Sequence, residues 1–400
     1  MTQGFSPDRL ARIGQVGRRY VDEGKIPFSM VQVARRGEVV YRDDHGLASV
    51  ENNRAIADDS IVRIYSMTKP ITSIALMQLY EHGKVLLENP VSRYIPEFAD
   101  MQVLIGGSAE KPITRPAARP ITIKDLLTHT SGLTYGFMEQ DPVDAIYRQK
   151  ELGVFTKVDF SLEEGCRRMA DSPLVFDPGT AWNYSMATDV VGRIVEVISG
   201  QPLEEYFAEN IFEPCGMVDT SFHVAEDKHD RFVDMYTPTP DGLFRVDITE
   251  RSLYLKPPTY TAGGGGLTST MDDYQQFCNM LVNRGQVNGN QVIGSRTLAF
   301  MATNHLPGGK SLNEMEQSLF SEVAMAGSGF GLGFSVVLDP AESGSISNVG
   351  EYSWGGAAST AFWVDPVDEV SCIFFTQLLP SSTYPIRRQL RAAVYQALND

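Results

Sequence analysis

With 400 residues, 42 % hydrophobic and 21 % charged, the chain has ordinary globular composition and ample length for a large core and two lobes. Acidic side chains number 50 against 34 basic ones, and a net charge of −16 disfavours phosphate backbones and anionic lipid, so neither nucleic acid nor a membrane is an expected partner. No run of about 18 apolar residues is present to cross a bilayer, and the opening MTQGFSPDRLARIGQ has no apolar leader core.

In chain order, Ser6-Pro7-Asp8 starts a helix, with proline where no N–H is needed. Leu10, Ile13, Gly17, Tyr20 and Val21 form its apolar stripe, and Gly24 ends it. FSMVQVA and EVVYR then read as a hairpin turning at Arg36-Gly37. IVRIYSMTKPITSIALMQLYEHG reads as a buried helix starting at about Ser66, because Pro70 is tolerated only in a first turn. MQVLIGGSAEKPITRPAARP reads as a Pro/Gly-rich loop, and TIKDLLTHTSG as a short helix capped by Thr122 and Asp125. Helices are expected over residues 187–199, 202–210 and 271–284, with Gly200 and Gly285 as stops; residues 236–266 read as irregular. GFGLGFSVVLD, TAFWVD and VSCIFFTQL read as strands, and YPIRRQLRAAVYQAL as a last helix.

Strands therefore cluster at both ends of the chain and helices fill the middle. The expected fold class is two-lobed α+β: an antiparallel sheet built from both termini and flanked by the terminal helices, with a mainly helical lobe inserted. The expected lobes are residues 1–80 with 285–400, and residues 81–284, forming one module over 1–400 with the site in the cleft between them. Cys166, Cys215, Cys278 and Cys372 lie far apart with no C-x-x-C pair, which suits buried thiols in a reducing compartment and a cytoplasmic location. The six scattered histidines offer no ligand spacing, so no metal is expected.

Two S-x-x-K tetrads occur. Ser108-Ala109-Glu110-Lys111 falls between Gly-Gly and Pro and is read as coincidence. Ser66-Met67-Thr68-Lys69 opens the buried helix and puts a hydroxyl and an ammonium on one face. A serine is a poor nucleophile until a base takes its proton, and a desolvated lysine can be that base or can stay charged and support another. Alone, these four residues fit equally a helix cap with a lysine extended to solvent.

SMTK, LLTHTSGL, PGTAWNYS, GGGGLTSTMDDYQQF and WGG, in this order, resemble the serine β-lactamase and penicillin-binding-protein superfamily over about residues 10–395. Within it the pattern is most similar to class C-like members, the family VIII carboxylesterases above all. The resemblance implies that Ser66 is acylated, with Lys69 its helix partner and Tyr184 a second base. It places Trp354, Gly355 and Gly356 on the strand that binds substrate, and pairs the backbone N–H groups of Ser66 and Ala357 as an oxyanion hole. His129 of LLTHTSGL is assigned to packing. Two departures weaken a β-lactam substrate: Tyr184-Ser185-Met186 lacks the asparagine of Tyr-x-Asn, and Trp354 stands where β-lactamases carry lysine. The expected activity is hydrolysis of short-chain carboxylic esters without metal or organic cofactor, with a small-molecule ester as partner. A β-lactamase, D-amino-acid peptidase or acyltransferase on the same scaffold is the alternative, and an inactive binding or structural relative the second.

Overall fold

A computed structural model describes residues 3–153, 158–316 and 322–399. Its centre is an eight-stranded antiparallel sheet. From one edge the strands run Ser328–Phe330, Ser335–Val337, Tyr352–Gly355, Ala361–Asp365, Val370–Phe375, Phe28–Arg35, Glu38–Ser49 and Arg54–Ala55. The join between the two ends of the chain is central: Phe28–Arg35 pairs with Val370–Phe375, from Met30 opposite Phe375 to Arg35 opposite Val370. The hairpin turns at Arg36 and Gly37, both left-handed, as the sequence indicates.

Both faces of this sheet are covered, which is why its middle strands are buried at every residue rather than at alternate ones. Val31, Val33, Val370, Cys372 and Phe374 face the Pro7–Asp22 and Ile386–Tyr395 helices. Met30, Ile373 and Phe375 point the other way, into the main core. Each such side chain contributes roughly 1.5–3 kcal/mol by leaving water. Gly17 lets the first helix lie flat on the sheet: a Cβ there would stand 1.9 Å from the Ser29 hydroxyl.

The helical body packs on the second face. Its axis is Thr68–Glu81, buried at every residue from Thr68 to Leu79. Ala187–Ser199 lies beside it and ends at left-handed Gly200. Met271–Val282 and the short Ile123–Leu127 helix form as expected, the latter with both bonds of the Thr122/Asp125 capping box. The stretch expected to be helical over 202–210 is Leu203–Phe207 followed by a π-helical turn, Ala208–Phe212.

Two segments read as loops are hairpins. Gln102–Gly107 pairs with Pro112–Pro116, and Met235–Thr239 pairs with Gly242–Asp247. Their prolines suggest irregular chain, yet each ladder has only two strands, so proline loses no second partner. Ser108 and Lys111 close the tip of the first hairpin by mutual backbone bonds, both exposed.

Candidate active site

The chain enters the site from Val62–Arg63, which pairs with Thr268–Ser269. Tyr65 then takes a left-handed φ of 43°, a conformation costing a non-glycine residue about 1–3 kcal/mol. It begins a 3-10 turn, Tyr65–Met67, so the α-helix proper starts at Thr68 and Ser66 sits in the tight turn before it. The turn is tied down from outside. Tyr274 donates to the Met67 carbonyl at 2.9 Å, and the Leu267 N–H donates to Thr68 Oγ1 at 3.2 Å. Ser66 keeps 9 % exposure while Lys69 and Tyr184 keep 1 %, so the hydroxyl is the most accessible of the three.

Lys69 donates to Ser66 Oγ at 3.2 Å, to the Tyr135 hydroxyl at 2.9 Å and to the Gly264 carbonyl at 2.6 Å. An ammonium has three protons, and all are used. Burial nevertheless pulls its pKa down to about 7, against the opposing fields of Asp189 and Glu322. Asp189 is itself buried, and burial pushes its carboxyl up while the Lys69 charge pulls it down. The two groups are linked through one residue, since Gly264 accepts from Lys69 through its carbonyl and donates to Asp189 Oδ1 at 3.3 Å through its N–H.

The glycine run is what lets this backbone pass between two helices. A Cβ at Gly263 would meet the Thr188 carbonyl at 2.9 Å, and one at Gly264 would meet Asp189 Oδ2 at 2.7 Å.

Tyr184 precedes the Ala187–Ser199 helix. Its oxygen is hydrogen-bonded by Ser66, and the Trp354 indole N–H donates to it at a long 3.4 Å. Burial raises its pKa, and these two bonds pull it back only in part. Its ring is walled by His129 at 5.1 Å, Tyr135 at 5.3 Å and Trp354 at 5.4 Å between centroids. The Lys69 ammonium lies 4.6 Å from the Tyr184 ring centroid. His129 packs as expected: its Nδ1 lies 3.1 Å from the Ser185 hydroxyl, and its pKa is held well below the usual range by burial and by Lys69.

Trp354 is buried, against Tyr184 and Phe330, rather than spread along an open wall. The two glycines after it have separate steric reasons. A Cβ at Gly355 would stand 2.7 Å from the Arg387 guanidinium, and one at Gly356 would stand 2.3 Å from the Ile64 carbonyl. That close approach brings Gly356-Ala357 alongside the turn that carries Ser66. The Ala357 N–H makes no hydrogen bond among the described residues.

Ser66, Lys69, Tyr184, Trp354, Gly355, Gly356 and Ala357 thus come together from distant parts of the chain, although Ser108 and Lys111 lie apart on a hairpin tip. A hydroxyl held between a loosely protonated amine and a phenol is what proton abstraction from an attacking serine needs. Sequence reading missed Tyr135 and Asp189. The latter had a readable signal, a lone acid among Ala187, Val190 and Val191 on an apolar helix. Tyr135 had none beyond its closeness to LLTHTSGL.

Residues 14–396 match the family model described as Beta-lactamase. The chain belongs to the β-lactamase family. Within that family it is 34 % identical over 366 residues to Protein Rv1367c of Mycobacterium tuberculosis, covering 91 % of this chain and 88 % of that one. It is 31 % identical over 405 residues to Esterase EstB of Burkholderia gladioli, covering 96 % and 95 %. Among solved structures it resembles EstCE1, described as a hydrolase with promiscuous acyltransferase activity. The TM-score there is 0.81 at 26 % identity, over 97 % of this chain and 99 % of the other. The expected α+β fold and the expected superfamily both hold for this β-lactamase-family chain.

Proposed function

We propose that the chain is a serine carboxylesterase of the family VIII type, hydrolysing neutral short-chain esters through an acyl-enzyme on Ser66. The observation that carries this reading is the Ser66 hydroxyl, within 3.2 Å of a buried Lys69 and bonded to Tyr184. Similarity to Esterase EstB over 96 % of the chain supports the ester bond as target.

Neutral Lys69 takes the Ser66 proton as the oxygen attacks the ester carbonyl. The Ser66 and Ala357 N–H groups hold the resulting oxyanion, a single such donor being worth roughly 2.7–4 kcal/mol. Tyr184, whose own proton is firmly held, relays a proton from Lys69 to the departing alcohol. The acyl-enzyme forms as the C–O bond breaks. Water then attacks along the reverse proton route, releasing the acid and restoring Ser66.

Lys69 must be neutral to begin, which fixes the sign of the pH dependence. Below its pKa of about 7 it is an ammonium and accepts nothing; above it the amine is free. The kcat/KM for a neutral ester should therefore rise through about pH 7 and hold into the alkaline range, and a fall across that interval contradicts the assignment.

Trp354 offers one indole donor and no cation for a ring carboxylate, and Ser185 is engaged with His129. A panel of nitrophenyl esters of increasing acyl length, run beside a chromogenic cephalosporin, tests the substrate class. Short acyl esters should be turned over well and the cephalosporin poorly. Cephalosporin hydrolysis exceeding ester hydrolysis overturns the esterase reading. The similarity to EstCE1 favours a second reading, in which an acceptor alcohol replaces water in the last step. Product analysis with added alcohol separates the two. Four buried, unpaired cysteines suit the proposed cytoplasmic location.

A further inference from the structure

We propose that Arg387, ion-paired to Glu322, is a positioning residue that fixes and polarises the Gly356–Ala357 peptide. This rests on the reading above, in which that peptide supplies the second oxyanion donor.

Arg387 lies on the chain's last helix, Ile386–Tyr395. Its Nη2 donates to the Gly356 carbonyl at 2.9 Å and to the Thr360 carbonyl at 2.6 Å. Its Nη1 donates to the Glu322 backbone carbonyl and to Glu322 Oε2, both at 2.8 Å. All four terminal N–H bonds of the guanidinium are thereby matched to acceptors. None of them is left for a substrate carboxylate, and the fifth, at Nε, is buried away from solvent, so Arg387 acts on the protein's own backbone.

The Gly356 carbonyl and the Ala357 N–H are two ends of one planar unit. In a trans peptide they point in opposite directions. Pinning the carbonyl to the terminal helix therefore turns the N–H away from that helix. A charge-assisted bond on the carbonyl is about twice as strong as a neutral one, and polarising the peptide makes its N–H a better donor. The neighbouring donor is already spent, because the Gly356 N–H bonds the Thr360 carbonyl at 2.9 Å. Thr360 is held by the same guanidinium, so both ends of the turn have one anchor. Glu322 holds that anchor in place, with its side chain 1 % exposed against 17 % for Arg387. Gly355 completes the fit: the guanidinium lies where its Cβ would be.

The test uses two variants. Arg387→Met with Glu322→Gln removes the anchor without stranding a buried charge. Arg387→Lys keeps the Glu322 pair and reaches fewer carbonyls, and it serves where the double variant does not fold. The readouts are kcat and KM on a butyrate ester, and affinity for phenylboronic acid, which adds the Ser66 oxygen to form a tetrahedral anion. The double variant should lose roughly 10- to 100-fold in kcat with KM nearly unchanged and boronate affinity falling in parallel, and Arg387→Lys should fall between. Wild-type kcat in the folded variants overturns the proposal, as does a raised KM at unchanged kcat, or a lowered kcat at unchanged boronate affinity. Failure of the nucleophile reading itself looks different: phenylboronic acid would then bind Ser66→Ala as tightly as the unmodified protein.

Discussion

Ser66→Ala is expected to lower kcat on a butyrate ester by roughly 10⁴-fold or more while the protein stays folded. Removing the hydroxyl leaves nothing to form the acyl-enzyme. The structural loss is small, because Lys69 retains the Tyr135 hydroxyl and the Gly264 carbonyl as acceptors. The two bonds lost, from Lys69 and to Tyr184, contribute about 0.5–1.5 kcal/mol net for the neutral one and about 1.5–3 kcal/mol for the one from the charged amine. Turnover and a thermal melt on the same preparation check both halves. A folded variant that keeps most of its turnover means the nucleophile lies elsewhere.

Lys69→Met and Tyr184→Phe should each reduce kcat strongly, by roughly 10³-fold and 10²-fold, and the double variant should be little worse than Lys69→Met alone. Methionine fills the lysine's space without its amine, so the buried helix start keeps its packing. Non-additivity follows from the geometry, since Ser66 bridges Lys69 at 3.2 Å and the Tyr184 oxygen, making one proton path. Tyr184→Phe also removes the acceptor for the Trp354 indole N–H, so its loss includes some loosening of that wall. Clean additivity of the two losses contradicts a shared path and places the residues in separate steps. Kinetics at saturating ester, in all four proteins, decide between these outcomes.

Much of this molecule is legible in its sequence because the relevant signals are local. The Arg36-Gly37 turn, the Thr122/Asp125 cap, the buried Thr68–Glu81 helix and the Gly200 stop each follow from a few adjacent residues. The sheet's composition from both chain ends follows from where the strands fall. The two hairpins at 102–116 and 235–247 are hidden by their prolines, because an isolated ladder tolerates what a sheet interior does not. Within the site, Ser66, Lys69, Tyr184 and the WGG kink stand out as motifs, whereas their partners are set by distant contacts. Arg387 lies 31 residues beyond the Gly356 carbonyl it holds, and Gly264 lies 195 residues beyond Lys69. No periodicity encodes such pairs. The glycines announce that something comes close, and only the fold says what: a guanidinium at Gly355, a carbonyl at Gly356 and a carboxylate at Gly264.

In the proposed reaction an ester's acyl group passes through Ser66. Intact-mass analysis after rapid acid quench with a slowly hydrolysed ester, followed by peptide mapping, tests it most directly. One acyl group per chain is expected, on the peptide containing Ser66 and absent from Ser66→Ala. An acyl group on the peptide containing Ser108, or full turnover with no acylated serine at any quench time, contradicts it.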